Sequence, residues 1–169
     1  KKGAALLGGG KTQEAQKQFE RALQKKPDFA PAHEGMGRIN FKNKRYTISQ
    51  LNFEKAIGFD PLLWRSYAYL GNLYDFQKNY DQAIKQYRTA LTIKPDAGFI
   101  YNNIGVSFYT AGRYKEAVDS FYQALKLNYA NNKVYNNLGR ALVKLALYDN
   151  ALEAFKKGNP EAVAYNNLG

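Results

Sequence analysis

The chain has 169 residues, of which 45% are hydrophobic, 15% aromatic and 23% charged, and this is the composition of a folded protein rather than a disordered one. It has no cysteine, one histidine and no apolar run of the roughly 18 residues that cross a bilayer, which excludes disulfides, thiolate metal sites, cysteine nucleophiles and a membrane span within these residues. Lys and Arg outnumber Asp and Glu by 25 to 14, and the net charge of +11 favours acidic partners.

Glycine recurs at a constant interval along most of the chain. These glycines are Gly3, Gly37, Gly71, Gly105 and Gly139, and Gly169 follows after a shorter interval. Each of the five is followed at a fixed distance by a small residue and, one helical turn later, by an aromatic one, as Gly105 is by Ala117 and Phe121. Three units end in proline, at Pro27, Pro61 and Pro95. Columns that stay in phase over five units indicate a repeat array.

Each unit is predicted to form two helices. In one unit Tyr101, Ile104 and Phe108 share a helix face with Gly105, since successive residues of a helix are about 100° apart. The dipeptide Ala111-Gly112 then favours a turn. A second helix follows with its own apolar stripe, formed by Tyr114, Ala117, Phe121, Ala124 and Leu125.

The predicted units divide the whole chain into one array. They are a partial repeat at 1–27, full repeats at 28–61, 62–95 and 96–129, a shortened repeat at 130–159 and the start of a further helix at 160–169. A lone helical pair cannot bury its apolar face, so the units must stack into an all-α solenoid. The small columns let helices approach closely, and aromatic side chains fill the space beside each contact. The truncated ends favour end-to-end self-association.

This column pattern resembles the tetratricopeptide repeat, which has a 34-residue period like that of the glycines. Residues 64–74, with the sequence WRSYAYLGNLY, are similar to the first-helix consensus of that family. The resemblance covers essentially the whole chain and implies a right-handed α-solenoid of antiparallel helix pairs. Residues 155–169 also bear a weaker resemblance to bacterial tetratricopeptide proteins of pilus and secretion assembly.

No catalytic constellation emerges from the sequence. His33 occupies a column that holds Tyr67 and Tyr101 in other units, which favours helix packing over a catalytic or metal-binding role. Residues 8–12, with the sequence GGGKT, lack the leading glycine and the preceding strand of a phosphate-binding loop. We therefore predict a non-catalytic protein with no cofactor, no metal and no small-molecule substrate.

The face of each first helix opposite its glycine is predicted to line the concave surface. Asparagines stand two and three residues before the glycine in a motif, Tyr-Asn-Asn-Ile/Leu-Gly, that occurs three times. They are Asn102, Asn103, Asn136, Asn137, Asn166 and Asn167. Asparagine is a poor interior helix residue, but its amide both donates and accepts hydrogen bonds. We predict that this row holds the backbone of an extended peptide; the alternative is that the amides bond neighbouring helices and stiffen the stack.

Cations and aromatic rings share the same predicted face. The further candidate binding residues are Arg38, Arg65, Tyr69, Asn72, Phe99, Lys133 and Arg140. The family resemblance implies an asparagine ladder like that of the O-GlcNAc transferase domain, at Asn103, Asn137 and Asn167. The carboxylate clamp of the family's co-chaperones is matched at Asn72, Asn103 and Lys133, but Ala68 and Asn137 stand where that clamp needs cations.

These features predict a protein–protein interaction scaffold that binds an extended acidic and hydrophobic peptide. One alternative is RNA binding through the basic surface, which is disfavoured because the repeats resemble tetratricopeptide rather than pentatricopeptide units. Another is the substrate-recruiting arm of a larger enzyme such as a glycosyltransferase. The sequence leaves the localisation open between the cytoplasm and the bacterial periplasm or envelope.

Overall fold

The computed structural model describes residues 12–159, and this part of the chain contains nine helices and no strand. The helices are α1 (Thr12–Lys25), α2 (Ala30–Lys42), α3 (Tyr46–Phe59), α4 (Trp64–Phe76), α5 (Tyr80–Ile93), α6 (Gly98–Thr110), α7 (Tyr114–Lys126), α8 (Asn132–Lys144) and α9 (Tyr148–Gly158). The predicted all-α fold is confirmed. The predicted further helix at 160–169, the glycine-rich segment at 8–10 and both chain ends, on which the predicted self-association depends, lie outside the described residues.

The helices belong to two compact units, one that extends to Leu73 and one that begins at Tyr74. In the first unit α1 packs on α2, and α2 packs on α3. In the second unit each helix from α5 to α9 packs on the next one along the chain. The helix pairs α2–α3, α6–α7 and α8–α9 are therefore hairpins.

Glycines of the repeated column face the aromatic ring that follows them on the second helix of the same hairpin. A Cβ atom added to Gly105 would lie 2.6 Å from the ring of Phe121, and one added to Gly139 would lie 2.5 Å from the ring of Phe155. Both rings are fully buried. The glycine thus makes room for the aromatic ring itself. The sequence had predicted only that the ring fills space beside the glycine contact.

The turns that follow α2, α4, α6 and α8 each contain one residue with a positive φ. In three turns a residue with a side chain takes this conformation, at Lys44 (φ 59°), Lys78 (φ 60°) and Ala146 (φ 57°), and only the fourth has glycine, at Gly112 (φ 78°). Consecutive members of this set are one repeat apart, so the same turn recurs in each repeat. Because a Cβ atom disfavours the left-handed region, the three non-glycine turns carry a small conformational cost.

Candidate functional site

The two Tyr-Asn-Asn motifs within the described residues form a chain of amide hydrogen bonds between α6 and α8. The Nδ2 atom of Asn137 donates to Oδ1 of Asn102 over 3.3 Å, and Nδ2 of Asn102 donates to Oδ1 of Asn103 over 3.4 Å. Asn102 is only 4% exposed, whereas Asn103 and Asn137 are half-buried. Asn102, three residues before its glycine, therefore supports Asn103 and Asn137. These two asparagines, each two residues before a glycine, keep part of their surface exposed.

Asn136 is directed towards the end of α9. Its Oδ1 atom accepts a hydrogen bond from Nδ2 of Asn159 over 3.4 Å, and a Cβ atom added to Gly158 would lie 2.8 Å from the same oxygen. Asn102 and Asn136 thus contribute to the packing of helices, as the alternative interpretation of the motif expected. Asn166 and Asn167 lie outside the described residues.

A second polar network lies next to Asn103. The Ser107 hydroxyl donates to the Asp75 carboxylate, with oxygen–oxygen distances of 2.7 and 2.9 Å, and the Tyr87 hydroxyl donates to it over 2.8 Å. Burial raises the pKa of Asp75, while the hydrogen bonds from Ser107 and Tyr87 act in the opposite direction. Burial also raises the pKa of Tyr87, whose side chain is hydrogen-bonded to Asn103. Asn103 therefore joins the amide chain to this carboxylate network.

Beside the amide chain, a cavity of about 160 Å³ opens between α6 and α8. It is lined by Val106, Tyr109, Thr110, Phe121, Asn137 and Arg140. The guanidinium of Arg140 lies 5.4 Å from the centroid of the Tyr109 ring, a cation–π contact. Among the described residues no carboxylate pairs with Arg140. The cavity thus combines a partly exposed amide, an unpaired cation and an apolar wall.

Two further predicted residues of this unit lie outside the cavity. Lys133 is exposed in the first turn of α8. Phe99 is half-buried and packs edge-on against Tyr129, with 6.3 Å between the ring centroids. The structure therefore brings Asn137 and Arg140 together and leaves Lys133 as a separate charge on the same helix.

The first unit holds Arg38, Arg65, Tyr69 and Asn72. Tyr69 is stacked on Phe53 with 4.9 Å between ring centroids, so much of its ring is used in packing. The exposed Arg65 lies over the Trp64 ring at 4.4 Å, and Arg38 and Asn72 are half-buried.

Glu34 is the acidic group among the cations of the first unit. Burial raises the pKa of Glu34, and a hydrogen bond from the Ser66 hydroxyl (3.2 Å) and the charges of Arg65 and Arg38 oppose that rise. These arginines therefore have an acidic neighbour within their own unit, which distinguishes them from Arg140.

His33 has a packing role, as its column predicted. Its Nε2–H donates to the carbonyl oxygen of Pro27 over 2.8 Å, and its ring stacks on Phe59 at 5.5 Å. In residues 12–159 no group of His, Asp and Glu is arranged to hold a metal ion. Within the same range, every helix is too short or too polar to cross a membrane.

A larger cavity, which no sequence pattern predicted, lies between α5 and α7. It has a volume of about 440 Å³ and is lined by Arg88, Leu91, Thr92, Tyr101, Ile104, Phe108, Asp119, Ser120 and Gln123. Two of its apolar lining residues, Ile104 and Phe108, are buried. We take the smaller cavity beside Asn137 as the candidate site, because it adjoins the amide chain and contains the unpaired Arg140.

Helical hairpins with a glycine–aromatic contact that recurs at a fixed period define a helical-repeat protein. Family models of the tetratricopeptide repeat match residues 1–47, 64–97, 99–128 and 133–158, which together make up most of the chain. The chain belongs to the tetratricopeptide repeat family. Members of this family are scaffolds typical of protein–protein interaction and are generally non-catalytic.

Solved structures of the same fold are similar to nearly the whole chain. MamA from Desulfovibrio magneticus RS-1, from residue 41 to its end, is 17% identical with a TM-score of 0.81, and the match covers 92% of this chain and 88% of that one. Pseudomonas aeruginosa pilF is 22% identical with a TM-score of 0.82, and the match covers 95% of this chain and 75% of that one. MamA of MSR-1 is 24% identical with a TM-score of 0.77, with 94% and 91% covered. No curated protein sequence matches the chain. These likenesses establish the α-solenoid fold.

Proposed function

We propose that the chain is a non-catalytic scaffold that binds an extended segment of a protein partner, rich in acidic and apolar residues, across α6 and α8. The observation that supports this proposal is the cavity in which Asn137 and Arg140 meet Val106 and Tyr109. The amide would bind the backbone of the segment, the cation would bind a carboxylate, and the apolar wall would receive one side chain.

Asn137 is suited to hold a peptide backbone because its amide is already oriented. One N–H is used by Asn102, and the second N–H and the carbonyl oxygen have no partner among the described residues. A peptide unit offers one acceptor and one donor, which match these two groups. Since Asn102 holds the amide in place, little side-chain entropy is lost on binding.

The spacing of charges on α8 predicts the sequence of the bound segment. Lys133, Asn137 and Arg140 are separated by four and three residues and therefore share one face of the helix. Seven residues of helix rise about 10 Å, which an extended peptide covers in about three residues. We expect two acidic residues about three positions apart, with an apolar residue between them.

The proposal is tested by selecting peptides from a random library displayed on phage. We expect the enriched peptides to contain acidic residues about three positions apart, and their affinity to fall as salt is added because the charges are exposed. The replacements Asn137→Ala and Arg140→Ala should each weaken binding of an enriched peptide by about tenfold. Arg88→Ala is the matched control, because Arg88 is an exposed, unpaired arginine on α5. Enrichment of peptides without acidic residues, or equal effects of Arg140→Ala and Arg88→Ala, would contradict the proposal.

A further inference from the structure

The outer face of α3 presents an apolar stripe to solvent. Ile48 is 49% exposed, Leu51 53% and Phe59 52%, and Leu62, just after the helix, is 71% exposed. At about 100° per residue, Ile48, Leu51 and Phe59 lie within about 80° of one another. The buried residues Phe53 and Ala56 lie on other sides of the helix. Ile48 and Leu51 therefore lie away from the packed face of the hairpin, while Phe59 keeps about half of its surface exposed beside its contact with His33.

Two positions of the stripe are particular to this repeat, whereas the column of Phe59 is also apolar in two other units, at Ile93 and Leu127. The column of Ile48 holds Glu14, Gln82, Glu116 and Asn150 in the other units, and the column of Leu51 holds Lys17, Lys85, Asp119 and Glu153. The buried columns of the repeat are meanwhile kept in α3 by Phe53 and Ala56. The fold therefore tolerates polar residues at both positions, and something other than repeat packing accounts for Ile48 and Leu51. A contiguous exposed apolar surface of this kind is typical of an interaction site.

A single positive charge stands at the centre of the stripe. Lys55 is exposed on the same face and has no ion-pair or hydrogen-bond partner among the described residues. Leu51 and Phe59 are each four residues from it, and Ile48 and Leu62 are each seven residues from it. In a symmetric antiparallel contact between two copies, Lys55 would therefore face Lys55, and like charges brought together out of water repel each other. This arrangement disfavours a second copy as the occupant.

We propose that the surface formed by Ile48, Leu51, Lys55, Phe59 and Leu62, the α3 surface, binds an amphipathic helix of a partner protein that carries a central Asp or Glu between apolar residues. The stripe from Ile48 to Phe59 is about 16 Å long, which corresponds to three turns of such a helix. Apolar side chains of the partner, spaced by three and four residues, cover the exposed leucine, isoleucine and phenylalanine. The central carboxylate pairs with Lys55 and fixes the register.

The probe is a designed helical peptide of about 18 residues with leucine four and seven positions on each side of a central Glu, and its counterpart has Lys at the centre. We expect the protein to bind the Glu peptide about fivefold more tightly than the Lys peptide. Lys55→Glu should reverse that preference. The double variant Ile48→Gln with Leu51→Lys places on α3 the residues that α5 has in the same columns. It should abolish binding of the Glu peptide while circular dichroism shows an unchanged thermal unfolding curve.

Three results would overturn this inference. The first is equal affinity for the two peptides, or binding of neither. The second is a preference that Lys55→Glu leaves unchanged. The third is a dimer, measured by sedimentation, that the double variant Ile48→Gln with Leu51→Lys returns to a monomer, since a second copy would then be the occupant.

Discussion

Asn137 on α8 donates a hydrogen bond to the buried side chain of Asn102 on α6, with 3.3 Å between nitrogen and oxygen. The two residues are 35 positions apart in the chain, one repeat plus one residue. This bond fixes the orientation of the partly exposed Asn137 amide through the buried amide of Asn102. Asn102 is too buried to contact a ligand, but it positions Asn137, which we propose binds one.

Replacing the buried member of this pair should affect stability and binding together. We expect Asn102→Ala to lower the free energy of unfolding by about 1–2 kcal/mol, because it removes hydrogen bonds from a buried site and leaves a small cavity. It should also weaken binding of a library-selected peptide, since Asn137 loses its support. Urea unfolding and calorimetric titration measure the two effects, and Asn150→Ala, an exposed position on α9, is the control. An affinity that stays at the wild-type value in a folded Asn102→Ala protein would separate Asn102 from the site.

The glycine–aromatic contact predicts opposite effects of the same substitution at two positions. Gly105→Ala should destabilise the protein by about 1–3 kcal/mol, because its Cβ atom would lie 2.6 Å from the buried ring of Phe121. Gly58→Ala on α3 has no heavy atom within 4 Å of the added Cβ atom. Since alanine favours a helix over glycine, it should stabilise the protein by roughly 0.5–1 kcal/mol. Urea unfolding of both variants tests the pair, and equal signs would contradict the packing described here.

The hairpin turns predict a stabilising substitution. Ala146 has a φ of 57°, a conformation that glycine adopts without a steric cost, so Ala146→Gly should raise the free energy of unfolding by about 0.5–1 kcal/mol. The reverse change in the equivalent turn, Gly112→Ala, should lower it by a similar amount. Thermal unfolding of the two variants gives the comparison, and a destabilised Ala146→Gly protein would be inconsistent with these turns.

Asp75 should contribute to the pH dependence of stability. Burial raises its folded-state pKa above the ordinary 3.8, so its contribution to stability is largest below about pH 3.8 and falls as the pH rises through the folded-state pKa. In Asp75→Asn the amide oxygen can still accept from Ser107 and Tyr87, but no charge forms. The stability of wild type relative to Asp75→Asn should therefore fall as the pH rises from about 4 to 7. Urea unfolding across this range is the measurement, with Asp119→Asn as the exposed control. A relative stability that rises with pH would contradict the assigned direction.

The fold was predictable from the sequence because glycine–aromatic packing repeats in register. Gly105 and Phe121 belong to one hairpin, and the spacing between them recurs in every unit, as from Gly139 to Phe155. Local periodicity was therefore enough to predict the helices and the turn at Ala111-Gly112.

The candidate site was only partly predictable. The sequence placed Asn102 and Asn103 on one face. In the helix the two side chains point about 100° apart, so Asn102 is buried while Asn103 is half-exposed. The contact of Arg140 with Tyr109 and the bond from Ser107 to Asp75 join residues of different repeats. Such contacts depend on how side chains pack between hairpins, and no local pattern encodes that.

The most direct test of the account is to map a selected acidic peptide onto the protein by NMR. Backbone and side-chain amide shifts of the isotope-labelled protein are followed as the peptide is added. We predict that the largest changes fall on Val106, Tyr109, Asn137 and Arg140, with the Asn137 side-chain amide among them. Changes centred instead on α5 and α7, at residues such as Lys85 and Asp119, with α6 and α8 unaffected, would contradict it.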